Sequence, residues 1–201
     1  GGAFIKSAPE KDIPDIQIHY VSIAMQDVHG REGVPLEHGF SNLVYLCRPQ
    51  SKGHIRLKSS DPNDDPLMYP NYFSVEQDLI DTRNGLREAR RVFMQPVFDE
   101  YRGKELKPGP SLDINNDDEL DNWIRETGET LYHPVGTCKM GIDELAVTNE
   151  HGQVHGLDSL RVVDASLMPS LIAGNTNAPT IMMAEKISDH INGKPFLSKE
   201  N

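Results

Sequence analysis

The chain is 201 residues long and carries 20 basic against 31 acidic side chains, a formal net charge of −11. That balance excludes the basic stripe that nucleic-acid phosphates demand, and no apolar run approaches the ~20 residues a membrane-spanning helix needs. The length is enough to bury a real core.

The chain opens Gly1-Gly2-Ala3-Phe4-Ile5, with no initiator Met, basic n-region or apolar h-region. It is therefore expected to have no signal peptide of its own and to be a fragment of a longer protein. Residues 16–23 alternate apolar and polar positions, the pattern of a strand with one buried face. Residues 42–47 form a shorter and more fully apolar run. Residues 53–59 alternate again, with Ile55 and Leu57 on one face and His54, Arg56 and Lys58 on the other. Between the first two strands, the Gly/Pro/His-rich stretch 28–39 predicts a loop, a candidate pocket lid or subunit contact.

Turn chemistry at Asp61-Pro-Asn-Asp-Asp-Pro66 precedes a capping box, Ser74-Val-Glu-Gln77. A helix is predicted over 75–94, its stripe formed by Leu79, Leu86 and Phe93 with Ile80, Ala89 and Val92 beside it, ending at Gln95-Pro96. Asn116-Asp-Asp-Glu119 starts another helix, whose Leu120, Trp123, Ile124 and Thr127 are expected to pack on the sheet. Short β pieces follow at 146–148, 152–155 and 160–163. A last helix is predicted over 178–192, with Pro179 in its first turn and Gly193 as its stop. The tail 194–201 is expected to fray. Strands first and helices after, without βαβ alternation, predict an α+β fold with a mainly antiparallel sheet backed by helices.

Cys47 and Cys138 are too few for a disulfide framework and fit a reducing cytoplasm. Cys138, flanked by Thr137 and Lys139 on a predicted strand, reads as a small buried filler. His151 and His155 are four apart, but Gly152 and Gly156 argue against a helix and no third ligand converges, so no metal site is expected. No Gly-x-Ser-x-Gly elbow offers a hydrolase nucleophile. Nor is there a Gly-x-Gly-x-x-Gly turn to place backbone N–H groups on a dinucleotide pyrophosphate, so the chain alone is expected to bind a dinucleotide cofactor weakly or not at all.

Two segments near the end carry the chemistry: Leu131-Tyr-His-Pro-Val-Gly-Thr-Cys-Lys-Met-Gly141, and Leu160-Arg-Val-Val-Asp-Ala-Ser-Leu-Met-Pro169 leading into Gly174-Asn-Thr-Asn-Ala-Pro-Thr180. Pro134 pushes His133 toward an extended or turn shape, and Gly136 lets backbone pass close to a planar ring. On composition alone, a His-Pro in a turn is more often structural than catalytic. Asn177, directly before Ala178-Pro179, reads as an N-cap, and Asp164 reads as a cap or turn residue.

Together these strings resemble the C-terminal signature of the glucose–methanol–choline (GMC) flavoprotein oxidoreductases. Residues 49–62, Pro70-Asn-Tyr-Phe73 and residues 95–103 resemble bacterial choline dehydrogenases and related alcohol dehydrogenases, so the likeness covers essentially the whole chain. The resemblance implies FAD-dependent oxidation of a primary alcohol, with electrons passing to a membrane quinone or an artificial acceptor rather than mainly to oxygen. A flavin takes hydride from carbon, and the protein must take the proton. Histidine, ordinarily titrating near pH ~6.5, suits that task, and the resemblance makes His133 the general base. It places Asn177 at the family's second His or Asn, Asp164 and Ala165 against the ribityl–phosphate stretch of FAD, and Ala178, Pro179 and Thr180 at the flavin's pyrimidine edge. There the helix N-terminus, roughly half a positive charge, would stabilise negative charge on the ring.

His19, in Pro14-Asp-Ile-Gln-Ile-His-Tyr20, resembles a residue of the substrate pocket, though a strand His is commonly just packed; Tyr132 joins that pocket on adjacency. The resemblance also implies a substrate-binding domain over 1–128 and a catalytic-His turn over 129–193, the latter a return segment docking on an FAD domain outside this chain. Tyr132, where choline-specific members commonly carry Phe, and Asn177-Ala-Pro-Thr180, where they often read Asn-Ala-Thr-Thr, leave an aliphatic alcohol fitting nearly as well as choline. A non-catalytic recognition or assembly domain and a cyanohydrin-type lyase are the competing readings. The expected location is the cytoplasm, with the intact protein peripheral to the inner membrane as the alternative.

Overall fold

Three antiparallel strands, β1 (Gly2–Ile5), β2 (Ile16–Val21) and β3 (Ser41–Leu46), form a sheet in that order in the computed structural model of the chain, which describes residues 1–24 and 38–195. The register pairs Ile5 with Ile16 across one edge, and Ile16 with Leu46 and Ile18 with Val44 across the other. β1 is too short for its alternation to be read from sequence, and it forms by adding to the free edge of β2. Of the predicted loop 28–39, residues 28–37 lie outside the described residues, as do residues 196–201 of the tail.

Helix α1 (Glu76–Phe93) packs on this sheet, where Ile16, Ile18 and Ala89 form a buried cluster with Ile5, Val44 and Leu46 around it. The closest approach is at Gly85. A Cβ there would lie 2.8 Å from Cδ1 of Ile16 and 3.0 Å from its Cγ1. Ile16 is fully buried and β-branched, so it cannot swing aside. Gly85→Ala gains about 1 kcal/mol of helix propensity on an open helix, but overpacking a core typically costs about 1–3 kcal/mol. The expected net result is a lowered urea midpoint; a raised one would show that α1 is not pressed onto β2.

The capping box predicted at 74–77 does not form. Val75 occupies the cap position without a side-chain bond. The α1 end is organised instead by Asp78, whose carboxylate accepts the N–H groups of Gln50 at 2.8 Å and Ser51 at 2.7 Å, while Ser51 Oγ accepts from Val75 N–H at 3.1 Å. One turn on, the Ser7 hydroxyl donates to the buried Asp15 at 2.6 Å and lies 3.2 Å from the buried Asp81, and Lys11 Nζ reaches Asp81 at 2.6 Å. Burial pushes the Asp15 carboxyl up, but the hydroxyl and N–H of Ser7 and the Lys11 ammonium more than offset it and hold it below the usual carboxylate range.

Helix α2 (Asp117–Thr127) starts as predicted, with Asn116 Oδ1 accepting from Asp118 and Glu119 N–H. Its apolar face packs on α1 rather than on the sheet, however. Leu120 and Ile124 join Leu79, with Phe73, Leu86 and Trp123 around them. The sheet already has its cover in α1, and α2 forms a further layer. These elements make one unit, residues 1–52 and 71–131.

The second unit comprises residues 53–70 and those from 132 onward. It begins with a hairpin of β4 (His54–Arg56) and β5 (Leu67–Tyr69), shorter than the strand predicted over 53–59. Its predicted apolar face is not buried; Leu57 is 86% exposed. The three later β pieces reduce to isolated bridges, Met140 with Thr148, Thr148 with Val154, and Gln153 with Arg161. Helix α3 (Asn177–Ile191) closes the unit one residue earlier than predicted and stops at Gly193, whose φ of +65° suits glycine. Of its apolar residues Ile187 is buried, whereas Ile181 and Met182 are exposed. Small antiparallel sheets with three helices are the predicted α+β class.

Candidate functional site

The His133 turn is set by backbone geometry. Tyr132 has a φ of +60°, rare for a non-glycine residue, and Gly136 has a φ of +85°. Cys138 N–H donates to Ser166 O at 3.1 Å and Met140 N–H to Leu167 O at 2.9 Å, so this segment is laced to residues 164–168. Cys138 thus lies in a hydrogen-bonded turn rather than on the predicted strand, half-buried and free. The anchor beneath it is Leu167 and Met168, both buried.

Asp164 caps the 3₁₀ turn Ala165–Leu167, its Oδ1 accepting Ser166 N–H at 2.7 Å. The cap role read from its residue type is therefore real, and the side chain is exposed.

At α3 the structure departs from the sequence reading. Asn177 is not the N-cap but the first residue of the helix, and Thr176 holds the cap position without a side-chain cap bond. Two features of the sequence explain this. The third helical residue is Pro179, which has no N–H for a cap hydroxyl to accept. Thr176 also has φ −79° and ψ −16°, helical angles rather than the extended ones of an ordinary cap.

The Thr176 hydroxyl is engaged elsewhere, with Oγ1 at 3.2 Å from Nδ1 of His133. Thr176 is 8% exposed, whereas His133, Asn177 and Ala178 are exposed, and Pro179 and Thr180 half-buried. Thr180 donates both its N–H and its hydroxyl to Thr176 O. The structure therefore brings His133 to the residue preceding Asn177, 43 positions along the chain. Thr176 was inside the string singled out from sequence but received no role; a proline at the third helical position was the signal that its hydroxyl would be free of the cap.

Tyr132 is 63% exposed beside His133. His19 lies on β2 in the other unit, half-buried, its ring edge-on to Tyr45 at 5.0 Å. That contact is the ordinary packing expected of a strand histidine. The clefts lined by Pro108, Leu112 and Trp123, and by Ala8, Pro9 and Arg87, include none of these residues. Among the described residues no cluster of His, Cys, Asp or Glu could hold a metal ion. His151 stacks on His190 with centroids 3.7 Å apart, and His155 Nε2 pairs with Gly141 O at 3.1 Å.

Comparison with known proteins gives the same picture. The chain is 48% identical over 198 residues to the oxygen-dependent choline dehydrogenase of Pseudomonas fluorescens (strain SBW25), a match covering 98% of this chain and 34% of that protein. It thus spans about a third of the length of the curated relatives it matches. Among solved structures it is similar to pyridoxine 4-oxidase from Mesorbium loti, with TM-score 0.83, 27% identity, and coverage of 97% of this chain and 38% of that one. It is likewise similar to an Aspergillus oryzae RIB40 formate oxidase, solved in a study of its FAD modification, with TM-score 0.80, 26% identity and coverage of 90% and 32%. The sequence model of the GMC oxidoreductase C-terminal domain matches residues 49–184, most of the chain, and the chain belongs to that family.

Proposed function

We propose that this chain is the catalytic C-terminal portion of an FAD-dependent dehydrogenase that oxidises a primary alcohol to an aldehyde. The observation that carries the reading is the hydrogen bond between Thr176 and His133, which ties an exposed imidazole to the residue preceding Asn177 at the start of α3. His133 takes the hydroxyl proton, help typically worth about 10²–10⁴ in rate. The Asn177 carboxamide donates to the same oxygen as it gains negative charge. In this reading Tyr132, next to His133 in the chain, faces the alcohol.

The residues present fit FAD at the α3 end. First-turn N–H groups have no intrahelical partner, Pro179 has none to offer, and the cap hydroxyl is turned away to His133. The N–H groups of Asn177 and Ala178 are thus left for an anionic ring edge, with Pro179 and Thr180 completing that wall. Asp164 and Ala165, at the head of the 3₁₀ turn, would hold the ribityl–phosphate stretch. When bound, FAD supplies the hydride acceptor.

In this reading residues 1–128 form the substrate-binding domain and 129–193 the return segment. The exposed Ile181 and Met182 of α3, and Ile55, Leu57 and Met68 of the hairpin, are then covered by an N-terminal FAD-binding portion. The acceptor is a quinone or another oxidant, and the relatives' name makes oxygen one such oxidant. We place the protein in the cytoplasm or at the inner-membrane surface, consistent with two free cysteines. No described helix is long and apolar enough to cross a membrane.

The test is anaerobic mixing of the intact flavoprotein with choline and with short and long primary alcohols. Flavin absorbance should bleach with at least one of them, yielding one aldehyde per flavin. An oxidised flavin left untouched by every alcohol would overturn the proposal.

A further inference from the structure

We propose that Thr176 is a positioning residue that fixes the tautomer of His133, accepting a hydrogen bond from Nδ1–H so that Nε2 is left as the proton acceptor. The inference rests on the alcohol-oxidation reading above and deepens it. An imidazole has two distinct nitrogens, and the partner of one decides which state the other is in. The buried Thr176 hydroxyl lies 3.2 Å from Nδ1, while His133 itself is exposed. The Nδ1 edge is thus turned toward the protein and the opposite Nε2 edge is the one left for an alcohol. Were the hydroxyl to donate to Nδ1 instead, the neutral ring would carry its proton on Nε2 and offer a substrate hydroxyl a donor, not a base.

Thr176 has this freedom because Pro179 removes one of the two N–H groups that an N-cap hydroxyl could accept, and because its helical angles turn it from the cap geometry. One hydroxyl therefore serves two ends. By leaving the helix uncapped it keeps the first-turn N–H groups open, and by meeting Nδ1 it orients the base.

The experiment uses the intact protein labelled with ¹⁵N-histidine, the His133 signals identified by their loss in His133→Gln. In the wild type, long-range ¹H–¹⁵N spectra of neutral His133 should show a protonated Nδ1 and an unprotonated Nε2. Thr176→Val, which removes the hydroxyl and keeps the shape, should move the ring toward the Nε2–H form. It should also slow flavin reduction by about tenfold to a hundredfold with KM little changed. Thr176→Ser should restore both.

A wild-type ring protonated on Nε2 overturns the proposal whatever the variants do, as does a Val variant with the wild-type nitrogen pattern or a Ser variant as impaired as Val. The nitrogen spectra need no turnover. If every alcohol fails to bleach the flavin, the dehydrogenase reading falls, and the spectra still decide the role of Thr176.

Discussion

Replacing His133 with Gln in the intact protein is expected to slow anaerobic flavin reduction by about 10²–10⁴-fold, with flavin content and thermal midpoint nearly unchanged. Gln is polar and of similar reach, and it can still hydrogen-bond the Thr176 hydroxyl, but it takes no proton at neutral pH. Because His133 is exposed, the substitution leaves no cavity and orphans no buried group, so a stability effect within about 0.5 kcal/mol is expected. The loss should fall on the reduction rate more than on KM, as it does for an interaction made chiefly in the transition state. Asn177→Ala should cost about 10²–10³ by removing a donor to the developing alkoxide. A His133→Gln protein that reduces its flavin within threefold of wild type would remove His133 from the chemistry, leaving the competing view of a recognition or assembly domain.

What could be read from the sequence was set by the length over which a pattern repeats. α1 runs for 18 residues and was placed almost to the residue, and the start of the 11-residue α2 was found as well, because helical spacing accumulates over several turns. β1 and β5 have four and three residues, too few for alternation to rise above chance. The errors at helix ends share one cause. Ser74 and Asn177 are good caps by type, but the cap is decided by which residue adopts the right angles and which donors remain unmet. At α1 a carboxylate inside the first turn gathers the incoming loop, and at α3 a proline deletes the donor. The turn that carries His133 was legible through its string, whereas the contact Thr176 makes with it was not, because its two partners lie 43 residues apart. The hairpin's alternation correctly marked a strand and misled about its burial; a two-stranded ribbon has too little surface to bury a face by itself.

Asp78→Ala is expected to lower the stability of the unit containing residues 1–52 and 71–131 by about 3 kcal/mol, a thermal midpoint loss on the order of 10 °C. Asp78 is 2% exposed, and its two carboxylate oxygens accept separate backbone donors, from Gln50 at 2.8 Å and Ser51 at 2.7 Å. Such charge-assisted bonds are roughly twice as strong as neutral ones, and the carboxylate sits in the first turn of α1, where the helix dipole favours negative charge. Removing it orphans two N–H groups at about 1–3 kcal/mol each; water can reach the exposed Gln50 more readily than the half-buried Ser51, so the sum falls short of the maximum. Asp78→Asn keeps one acceptor but sets its NH₂ against the other N–H, and should lie between wild type and Ala. Asp64 is the control: its carboxylate also accepts two hydrogen bonds, here from the side chains of Lys58 and Ser59, but at an exposed turn, and Asp64→Ala should leave the midpoint where it is. Urea titrations of the three variants make the comparison. Equal midpoints for Asp78→Ala and wild type would mean that the chain leaving β3 is held to α1 by Ser51 and apolar packing alone, and the two backbone bonds would then add nothing to the fold that positions α1.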